Sequence, residues 1–238
     1  MSFKLNDFIK NRVEKKIFTG LPLTIFIIVF LLLLATFLGI TDSVVNSRPI
    51  VTFDNSFAHS LYLIRTSWMV EIFYVITNLG DVVTMFILIV ISMIYLFLKK
   101  ELAYLYSLVI TTLGTELSVY WIKILINRAR PGADIAYYLE NSKSFPSAHS
   151  AIAMAFIGFV IYYLVEHVSK KQQKSIIIFL GTLLIVLIGF SRLYLGVHYL
   201  SDVLGGFLMG GLFLVIGITF RERHFYTSSI KKGVDNRL

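Results

Sequence analysis

The stretch SRLYLGVHYLSD, which ends at Asp202, contains residue types that could perform nucleophilic catalysis. His198 and Asp202 are four residues apart, a spacing that puts both side chains on one face of a helix. The carboxylate can then accept a hydrogen bond from one imidazole nitrogen and leave the other nitrogen free to attack. A single pair of this kind is more often an interfacial hydrogen bond, so a catalytic interpretation needs further partners.

A second stretch, KSFPSAH, places Pro146 and Ser147 where a polar loop meets a long apolar run. Proline is favoured in the first turn of a helix, where unpaired backbone N–H groups and the positive end of the helix dipole attract anions. The Ser147 hydroxyl is a further donor, the backbone at Ala148 lies beside it, and His149 follows. Taken alone, this stretch fits a capped helix with an interfacial histidine equally well.

Three cations complete a set that fits a phosphoryl group. Lys123 and Arg130 are seven residues apart in YWIKILINRARPG, nearly two helical turns, and Arg192 lies at the end of a later apolar run. Guanidinium groups make planar, multidentate contacts to phosphate oxygens, and the lysine adds a point charge. Considered separately, Lys123 would snorkel and Arg128 and Arg130 would anchor the helix at the head groups. Together with the histidines, the cations indicate phosphoryl transfer.

A membrane protein must position these residues, because 57% of the 238 residues are hydrophobic and only 15% are charged. Each helix that crosses the hydrocarbon needs about 20 mostly apolar residues. The runs that qualify are 21–40, 82–98, 102–126, 147–165, 175–190 and 199–220. The predicted fold is therefore all-α, a bundle of six transmembrane helices with an outer-surface helical segment, residues 56–81, between the first two spans. That segment is also long enough to be considered as a seventh span.

The distribution of charge favours the six-span topology, since lysine and arginine accumulate in short cytoplasmic loops. A seventh span at residues 56–81 would move Lys99 and Lys100 to the outer side. The prediction is a cytoplasmic amphipathic arm at 1–20, a six-helix membrane domain at 21–220 and a basic cytoplasmic tail at 221–238. Both termini would be cytoplasmic and the polar cluster extracytoplasmic. The net charge of +8 then reflects topology and contact with anionic membrane lipids, and no nucleic acid partner is expected.

The segments KILINRARP, PSAH and SRLYLGVHYLSD together resemble the three motifs of the type 2 phosphatidic acid phosphatase family, patterned K-x6-RP, PSGH and SR-x5-H-x3-D. All three match in order and internal spacing between Lys123 and Asp202, and the six-helix plan of the family covers nearly the whole chain. The one departure is Ala148, where the family usually has glycine. Vanadium-dependent haloperoxidases have a similar pattern, but six spans argue against a soluble oxidant enzyme.

The resemblance implies a role for each motif residue. His198 would attack phosphorus to give a phosphohistidine, Asp202 would fix the tautomer of His198, and His149 would protonate the leaving group and later help water hydrolyse the intermediate. The phosphoryl oxygens would be held by Lys123, Arg130, Ser147, Arg192 and the backbone N–H groups near Ala148. No metal ion or organic cofactor is expected, because the cations supply the charge stabilisation.

The expected substrate is a lipid phosphate whose head group lies at the membrane interface and whose chains lie between helices. Bacterial members of the resembled family include phosphatases for undecaprenyl pyrophosphate and phosphatidylglycerophosphate. The sequence does not choose among these two lipids, phosphatidate and lysophosphatidate. Glu116, an intramembrane carboxylate, and Tyr194 are candidates for lining the substrate path, although Glu116 could equally bond a neighbouring helix. Asp134 and Glu140, in the loop before PSAH, could repel or position an anionic head group, but a solvated loop is the more common explanation.

Two other functional classes remain open from the sequence. A phosphotransferase would use the same phosphohistidine but pass the phosphoryl group to an acceptor alcohol. A non-catalytic lipid-binding or lipid-exporting protein would not need the two histidines and the aspartate at catalytic spacing. The sequence does not indicate the oligomeric state.

Overall fold

The computed structural model describes Phe18, residues 20–47 and residues 49–235, with side chains described up to Thr227. This part of the chain is helical and contains no strand. In chain order the helices are α1 (Leu21–Val45), α2 (Pro49–Leu63), α3 (Ser67–Leu79), α4 (Val82–Leu98), α5 (Leu102–Ile126), α6 (Ala148–Ile152), α7 (Gly158–His167), α8 (Lys171–Tyr194) and α9 (Leu200–Asp235). The predicted arm at 1–20 lies almost wholly outside the described residues, as do residues 236–238 of the predicted tail.

Six helical segments of the described chain are long and apolar enough to cross a membrane, which confirms the predicted number. They are Leu21–Val45, Ser67–Leu98, Leu102–Ile126, Ala148–His167, Lys171–Tyr194 and Leu200–Thr227. Most of them extend beyond the predicted runs by a few residues, because helices continue into the polar residues that flank each apolar stretch. The last helix continues through residues 221–235, so the predicted tail begins as an extension of α9.

The helical segment predicted between the first two spans is present, but it is divided. Residues 56–63 belong to α2, the chain breaks at residues 64–66, and α3 follows. Helix α3 has 13 residues, about 20 Å at helical rise, which is too short to cross a membrane alone. It continues through the turn at Gly80 and Asp81 into α4, and the two helices form one apolar segment of 32 residues. The sequence prediction had separated α3 from that span.

Helix α9 lies at the centre of the bundle, where it packs against α5, α1 and α6. Two glycines allow the approach to α6: a Cβ atom at Gly206 would lie 2.5 Å from the carbonyl oxygen of Ser147, and one at Gly210 would lie 2.3 Å from that of Ala151. Neither contact leaves room for a side chain, so the two backbones touch directly, as small residues at four-residue spacing allow. The helix that carries Asp202 is thereby held against the helix that carries His149.

The span that begins at α6 is not a uniform helix. A π-helical turn, Ala153–Ile157, separates α6 from α7. At its start, the Ser147 side chain caps the helix by accepting a hydrogen bond from the backbone N–H of Ser150. The backbone N–H of Ser147 donates to the carbonyl oxygen of Asp202 at 2.9 Å. This bond joins the first residue before α6 to the first turn of α9.

Candidate active site

The polar residues predicted from the motifs converge at one end of the bundle. The end of α5, the irregular loop at residues 127–146, the start of α6 and the turn between α8 and α9 meet there. Several polar side chains at this place are almost completely buried, namely Asp54, Ser144, Ser147, Arg192, His198, Ser201 and Asp202. Burial of so many polar groups requires mutual hydrogen bonds, and the contacts below supply them.

His198 lies in the turn between α8 and α9, with 2% of its surface exposed. Its Nδ1 is 3.4 Å from Oδ2 of Asp202, and its Nε2 is 2.9 Å from Nη1 of Arg130. Because a guanidinium can only donate, Nε2 is the acceptor and its lone pair points toward Arg130. Burial, reinforced by the charges of Arg130, Arg192 and Lys123, lowers the pKa of His198 well below its usual value. The imidazole is therefore neutral at physiological pH, and its Nε2 lone pair is covered by Arg130.

Asp202 is fully buried and receives hydrogen bonds on both carboxylate oxygens. Nη1 of Arg128 is 2.6 Å from Oδ1, and Oδ2 accepts from the Ser144 hydroxyl at 2.5 Å and from the backbone N–H of Tyr199 at 2.9 Å. These donors fix the carboxylate with Oδ2 toward His198. The arrangement gives Asp202 the geometry to orient the imidazole.

Arg128 and Asp54 support Asp202, and neither role follows from the sequence motifs. Nη2 of Arg128 is 2.7 Å from Oδ2 of Asp54, so one guanidinium bridges two buried carboxylates. Asp54, on α2, also accepts from the backbone N–H of Ser201 at 3.0 Å and from its hydroxyl at 2.5 Å. Arg128 is thus an internal ion-pair partner, whereas the sequence taken alone suggested a head-group anchor. The sequence feature that could have indicated a role for Asp54 is a carboxylate within the mostly apolar stretch that forms α2.

Arg130 and Arg192 are bridged by a single carboxylate, that of Glu140. Nη2 of Arg130 is 2.5 Å from Oε2 of Glu140, and Nη2 of Arg192 contacts Oε1. Arg192 is completely buried, and its Nη1 donates to the Thr77 hydroxyl at 2.7 Å and to the Tyr138 hydroxyl at 2.5 Å. The expectation of a solvated loop is therefore wrong for Glu140, whose side chain is 22% exposed.

The other predicted residues occupy different surroundings. The ammonium of Lys123 donates to the carbonyl oxygen of Lys143. Ser147 is buried, and its hydroxyl accepts a hydrogen bond from the Ser150 hydroxyl at 3.1 Å. In this conformation its side chain therefore bonds to residues of its own helix. Ala148 begins α6 in a helical conformation, where glycine is not required. Tyr194 is 1% exposed and accepts from the backbone N–H of Thr66 at 3.0 Å, away from the polar cleft.

Two cavities meet at His149. A polar cleft of about 820 Å³ is lined by residues that include Thr77, Tyr138 and Glu140. A narrow apolar groove of about 110 Å³ is lined by Met85, Phe86, Ile89, Ile152 and Glu116 among others. His149 and Val82 line both cavities. A molecule with a polar head and an apolar chain could therefore place its head in the cleft and its chain in the groove.

Cations lie beside the cleft, because Arg130 and Arg192 contact Glu140, one of its lining residues. In the described part of the chain, no three His, Cys, Asp or Glu side chains form a group that could hold a metal ion. The cationic side chains at the site are Lys123, Arg130 and Arg192, and one donor of the buried Arg192, its Nε, has no partner among the described residues. These features define a class of protein: a polytopic helical membrane protein in which a cluster of cations lies beside a buried histidine.

Comparison with known proteins identifies the family. The family model of the PAP2 superfamily matches residues 100–226, which include every motif residue from Lys123 to Asp202. The chain belongs to the PAP2 superfamily. This match begins after α2 and so leaves out Asp54.

The relatives extend the similarity over most of the chain. Phosphatidylglycerophosphatase B of Bacillus subtilis is 35% identical over 195 residues, which are 79% of this chain and 94% of that protein. The crystal structure of a transmembrane PAP2 type phosphatidylglycerolphosphate phosphatase from Bacillus subtilis matches with a TM-score of 0.74 and 31% identity, covering 82% of this chain and 96% of that one. The crystal structure of Aquifex aeolicus LpxE matches with a TM-score of 0.53 and 25% identity, over 70% and 94% of the two chains. The chain is a membrane phosphatase that acts on lipid phosphates.

Proposed function

We propose that this chain removes the terminal phosphate of a lipid at the extracytoplasmic face of the membrane, through a phosphohistidine intermediate on His198. The observation that carries the proposal is the meeting of the polar cleft with the apolar groove at His149. A lipid phosphate is the ligand that satisfies both surroundings at once. A soluble phosphate ester would leave the groove unused.

In the first step, Nε2 of His198 attacks phosphorus and the bond between phosphorus and the leaving lipid oxygen breaks. His149 gives its proton to that oxygen, so the lipid product leaves as an alcohol, or as a monophosphate when the substrate is a pyrophosphate. The Nδ1–H of His198 points to Asp202, whose carboxylate stabilises the positive charge that forms on the imidazole. Arg130 must leave Nε2 before the attack, since its Nη1 lies 2.9 Å from Nε2 and covers the lone pair.

In the second step, a water molecule attacks the phosphohistidine and His149 accepts one of its protons. The bond between phosphorus and Nε2 breaks, inorganic phosphate is released and neutral His198 is restored. Through both steps the negative charge on the equatorial oxygens faces the side chains of Arg130, Arg192 and Lys123. Once Arg130 has moved off Nε2, these three cations supply the charge stabilisation, and no step is assigned to a metal ion.

Phosphatidylglycerophosphate is the substrate that we propose first. The Bacillus subtilis relative is named for this activity, and the similarity to it covers 94% of that protein. Undecaprenyl pyrophosphate remains the alternative, because its terminal phosphate could occupy the polar cleft and its long apolar chain the groove. The length and shape of the groove beyond Ile89 would determine which of these two lipids fits better.

The proposal predicts a specific outcome for a release assay with purified protein in detergent. Phosphatidylglycerophosphate is expected to yield inorganic phosphate, and an excess of EDTA is expected to leave the rate within about twofold, since no catalytic step is assigned to a metal ion. Undecaprenyl pyrophosphate, phosphatidate and a short-chain soluble phosphate ester complete the panel. Loss of activity with chelator would contradict the metal-independent mechanism. Release from the soluble ester at the same kcat/KM as from the lipid would contradict the role of the groove.

The location of the site is a separate prediction. The chain has no cysteine, so single cysteines can be introduced without a background of native thiols. A cysteine at Asp134, in the loop at residues 127–146, is expected to react with a membrane-impermeant maleimide added to intact cells. A cysteine at Lys170, in the turn between α7 and α8, is expected to react only after permeabilisation. The reverse pattern would place the active site on the cytoplasmic side.

A further inference from the structure

Ser144 lies between the two residues of the proposed nucleophilic pair. Its hydroxyl donates to Oδ2 of Asp202 at 2.5 Å, and its Oγ is 3.4 Å from Nδ1 of His198. Nδ1 is also 3.4 Å from Oδ2 of Asp202, so the Ser144 hydroxyl is as close to the imidazole as the carboxylate is. Both contacts of Nδ1 are long for a hydrogen bond. Asp202 alone therefore does not account for the orientation of His198.

The positions of the protons follow from the neighbouring donors. Arg130 can only donate, so its contact with Nε2 places the proton of the neutral imidazole on Nδ1. The hydroxyl proton of Ser144 points to Asp202, which leaves the lone pairs of Oγ able to accept from Nδ1–H. A hydroxyl that donates to a carboxylate becomes a stronger acceptor, because the two hydrogen bonds polarise each other. The hydroxyl can therefore transmit the negative charge of Asp202 to the imidazole without transfer of a proton.

The backbone of Ser144 also contacts the imidazole. Burial and the nearby cations lower the pKa of His198, whereas a hydrogen bond to the Ser144 backbone raises it. A hydrogen bond with this effect favours a positively charged ring, and the ring becomes positive when Nε2 forms a bond to phosphorus while Nδ1 keeps its proton. Ser144 thus offers two acceptors, one on the side chain and one on the main chain, to the edge of the ring where this charge needs stabilisation.

Ser144 is held in a fixed position at the end of the loop at residues 127–146. It is completely buried, and its backbone N–H donates to the carbonyl oxygen of Arg128 at 3.0 Å. The next residue, Phe145, is also completely buried and packs on Gly205 of α9, where a Cβ atom would lie 2.7 Å from the ring. Gly205 and Asp202 are about one helical turn apart. The packing of Phe145 therefore fixes the hydroxyl relative to the carboxylate.

We propose that Ser144 is a positioning residue for the nucleophile: its hydroxyl joins Asp202 to Nδ1 of His198 and stabilises the positive imidazole that forms when Nε2 attacks phosphorus. This inference rests on the proposed function, since it requires His198 to be the nucleophile. The three family motifs do not include this serine, which lies two residues before Pro146. Because Ser144 does not contact the phosphoryl group in this scheme, its loss should affect the chemical step more than substrate binding.

The test compares Ser144→Ala with Ser107→Ala, since both variants lose the hydroxyl of a completely buried serine. The Ser107 hydroxyl has no hydrogen-bond partner among the described residues, and it lies near the start of α5, at the opposite end from Lys123. The substrate is the lipid of the release-assay panel with the highest kcat/KM.

Ser144→Ala is expected to lower kcat about tenfold, the effect of one charge-assisted hydrogen bond, and to leave KM within about threefold of the parent. The single-turnover rate at which labelled phosphate is transferred to the protein is expected to fall by the same factor. The loss is smaller than that of the nucleophile itself, because the backbone acceptor of Ser144 remains. Ser107→Ala is expected to keep kcat and KM within about twofold, since it breaks no hydrogen bond.

A double-mutant cycle with Asp202→Asn separates this role from a purely structural one. If the hydroxyl acts by transmitting the charge of Asp202, Ser144→Ala is expected to change kcat less than about threefold once that charge is absent. A serine that only supported the fold would cost the same factor with and without the charge. All rates are taken per amount of folded protein.

Three results would each overturn the role of Ser144: an unchanged kcat in Ser144→Ala, an equal fall in Ser107→Ala, or a fall that persists in full beside Asp202→Asn. A raised KM with unchanged kcat would also do so, because it would assign the hydroxyl to substrate binding. Turnover retained by a variant that lacks the His198 imidazole would instead contradict the proposed function. That variant is measured first, so the two failures are distinguishable.

Discussion

Replacement of His198 by glutamine is expected to reduce kcat for phosphate release by roughly 10⁴-fold or more, as loss of a nucleophile does in other covalent mechanisms. Glutamine retains a polar group of similar reach, so the contact with Arg130 and the packing of the turn between α8 and α9 are largely kept. The amide nitrogen has no lone pair that can attack phosphorus. The KM of the variant, or its affinity for a phosphate analogue, is expected to change far less than kcat.

The assay is release of inorganic phosphate from phosphatidylglycerophosphate in detergent, with rapid quenching to trap the enzyme-bound phosphoryl group. The parent protein is expected to retain label from a phosphate-labelled substrate, and His198→Gln is expected to retain none. His59→Gln is the matched control, because His59 lies on an exposed face of α2 and contacts none of the motif residues. Turnover by His198→Gln within about tenfold of the parent would exclude His198 as the nucleophile.

Replacement of Arg128 by glutamine is expected to lower both stability and turnover. The guanidinium is the ion-pair partner of Asp54 and Asp202, which are 1% and 0% exposed. Removal of one partner from a buried ion pair costs about 3 to 5 kcal/mol, because it leaves charge without compensation. The kcat should also fall, since Asp202 loses the donor on Oδ1 that fixes its orientation toward His198.

The free energy of unfolding in detergent measures the first effect, and phosphate release by the remaining folded protein measures the second. Arg65→Gln is the matched control: Arg65 donates to the carbonyl oxygen of Ile135, and no carboxylate would be stranded by its loss. The double variant Arg128→Gln with Asp54→Asn should recover part of the stability, because one of the two stranded charges is gone. Equal losses for Arg128→Gln and Arg65→Gln would show that the ion pairs of Arg128 contribute nothing beyond the contacts of a partly buried arginine.

The sequence was sufficient for those features that depend on local pattern. Apolar runs of the required length predicted the number of spans, because a membrane imposes that length on each helix separately. The pairing of His198 with Asp202 follows from four-residue spacing within one turn of chain. Ser147 as the cap of α6 follows from a polar residue before a helix start. None of these predictions requires knowledge of how the helices pack.

The features that escaped prediction depend on contacts between distant parts of the chain. Asp54 and Ser201 are 147 residues apart, and nothing in either segment indicates the other. Glu140 was expected to be solvated because its neighbours in the sequence are polar, whereas its partners come from the end of α5 and from α8. The union of α3 with α4 was missed because the polar turn at Asp81 resembles a loop, although its carboxylate in fact caps α4 by accepting from the backbone N–H of Val83.

The hydrogen bond from the backbone N–H of Ser147 to the carbonyl oxygen of Asp202 affects which sequence changes the site can tolerate. His149 follows Ser147 by two residues and His198 precedes Asp202 by four, so main-chain atoms help to set the separation between the proposed acid and the proposed nucleophile. Side-chain replacement at either position leaves this bond intact, unless the new residue is a proline at 147. Ala148 stands where the motif PSGH has glycine, and it begins α6 in a helical conformation next to this bond. Side-chain substitutions near this hydrogen bond should be tolerated more readily than any insertion or deletion between Ser147 and His149.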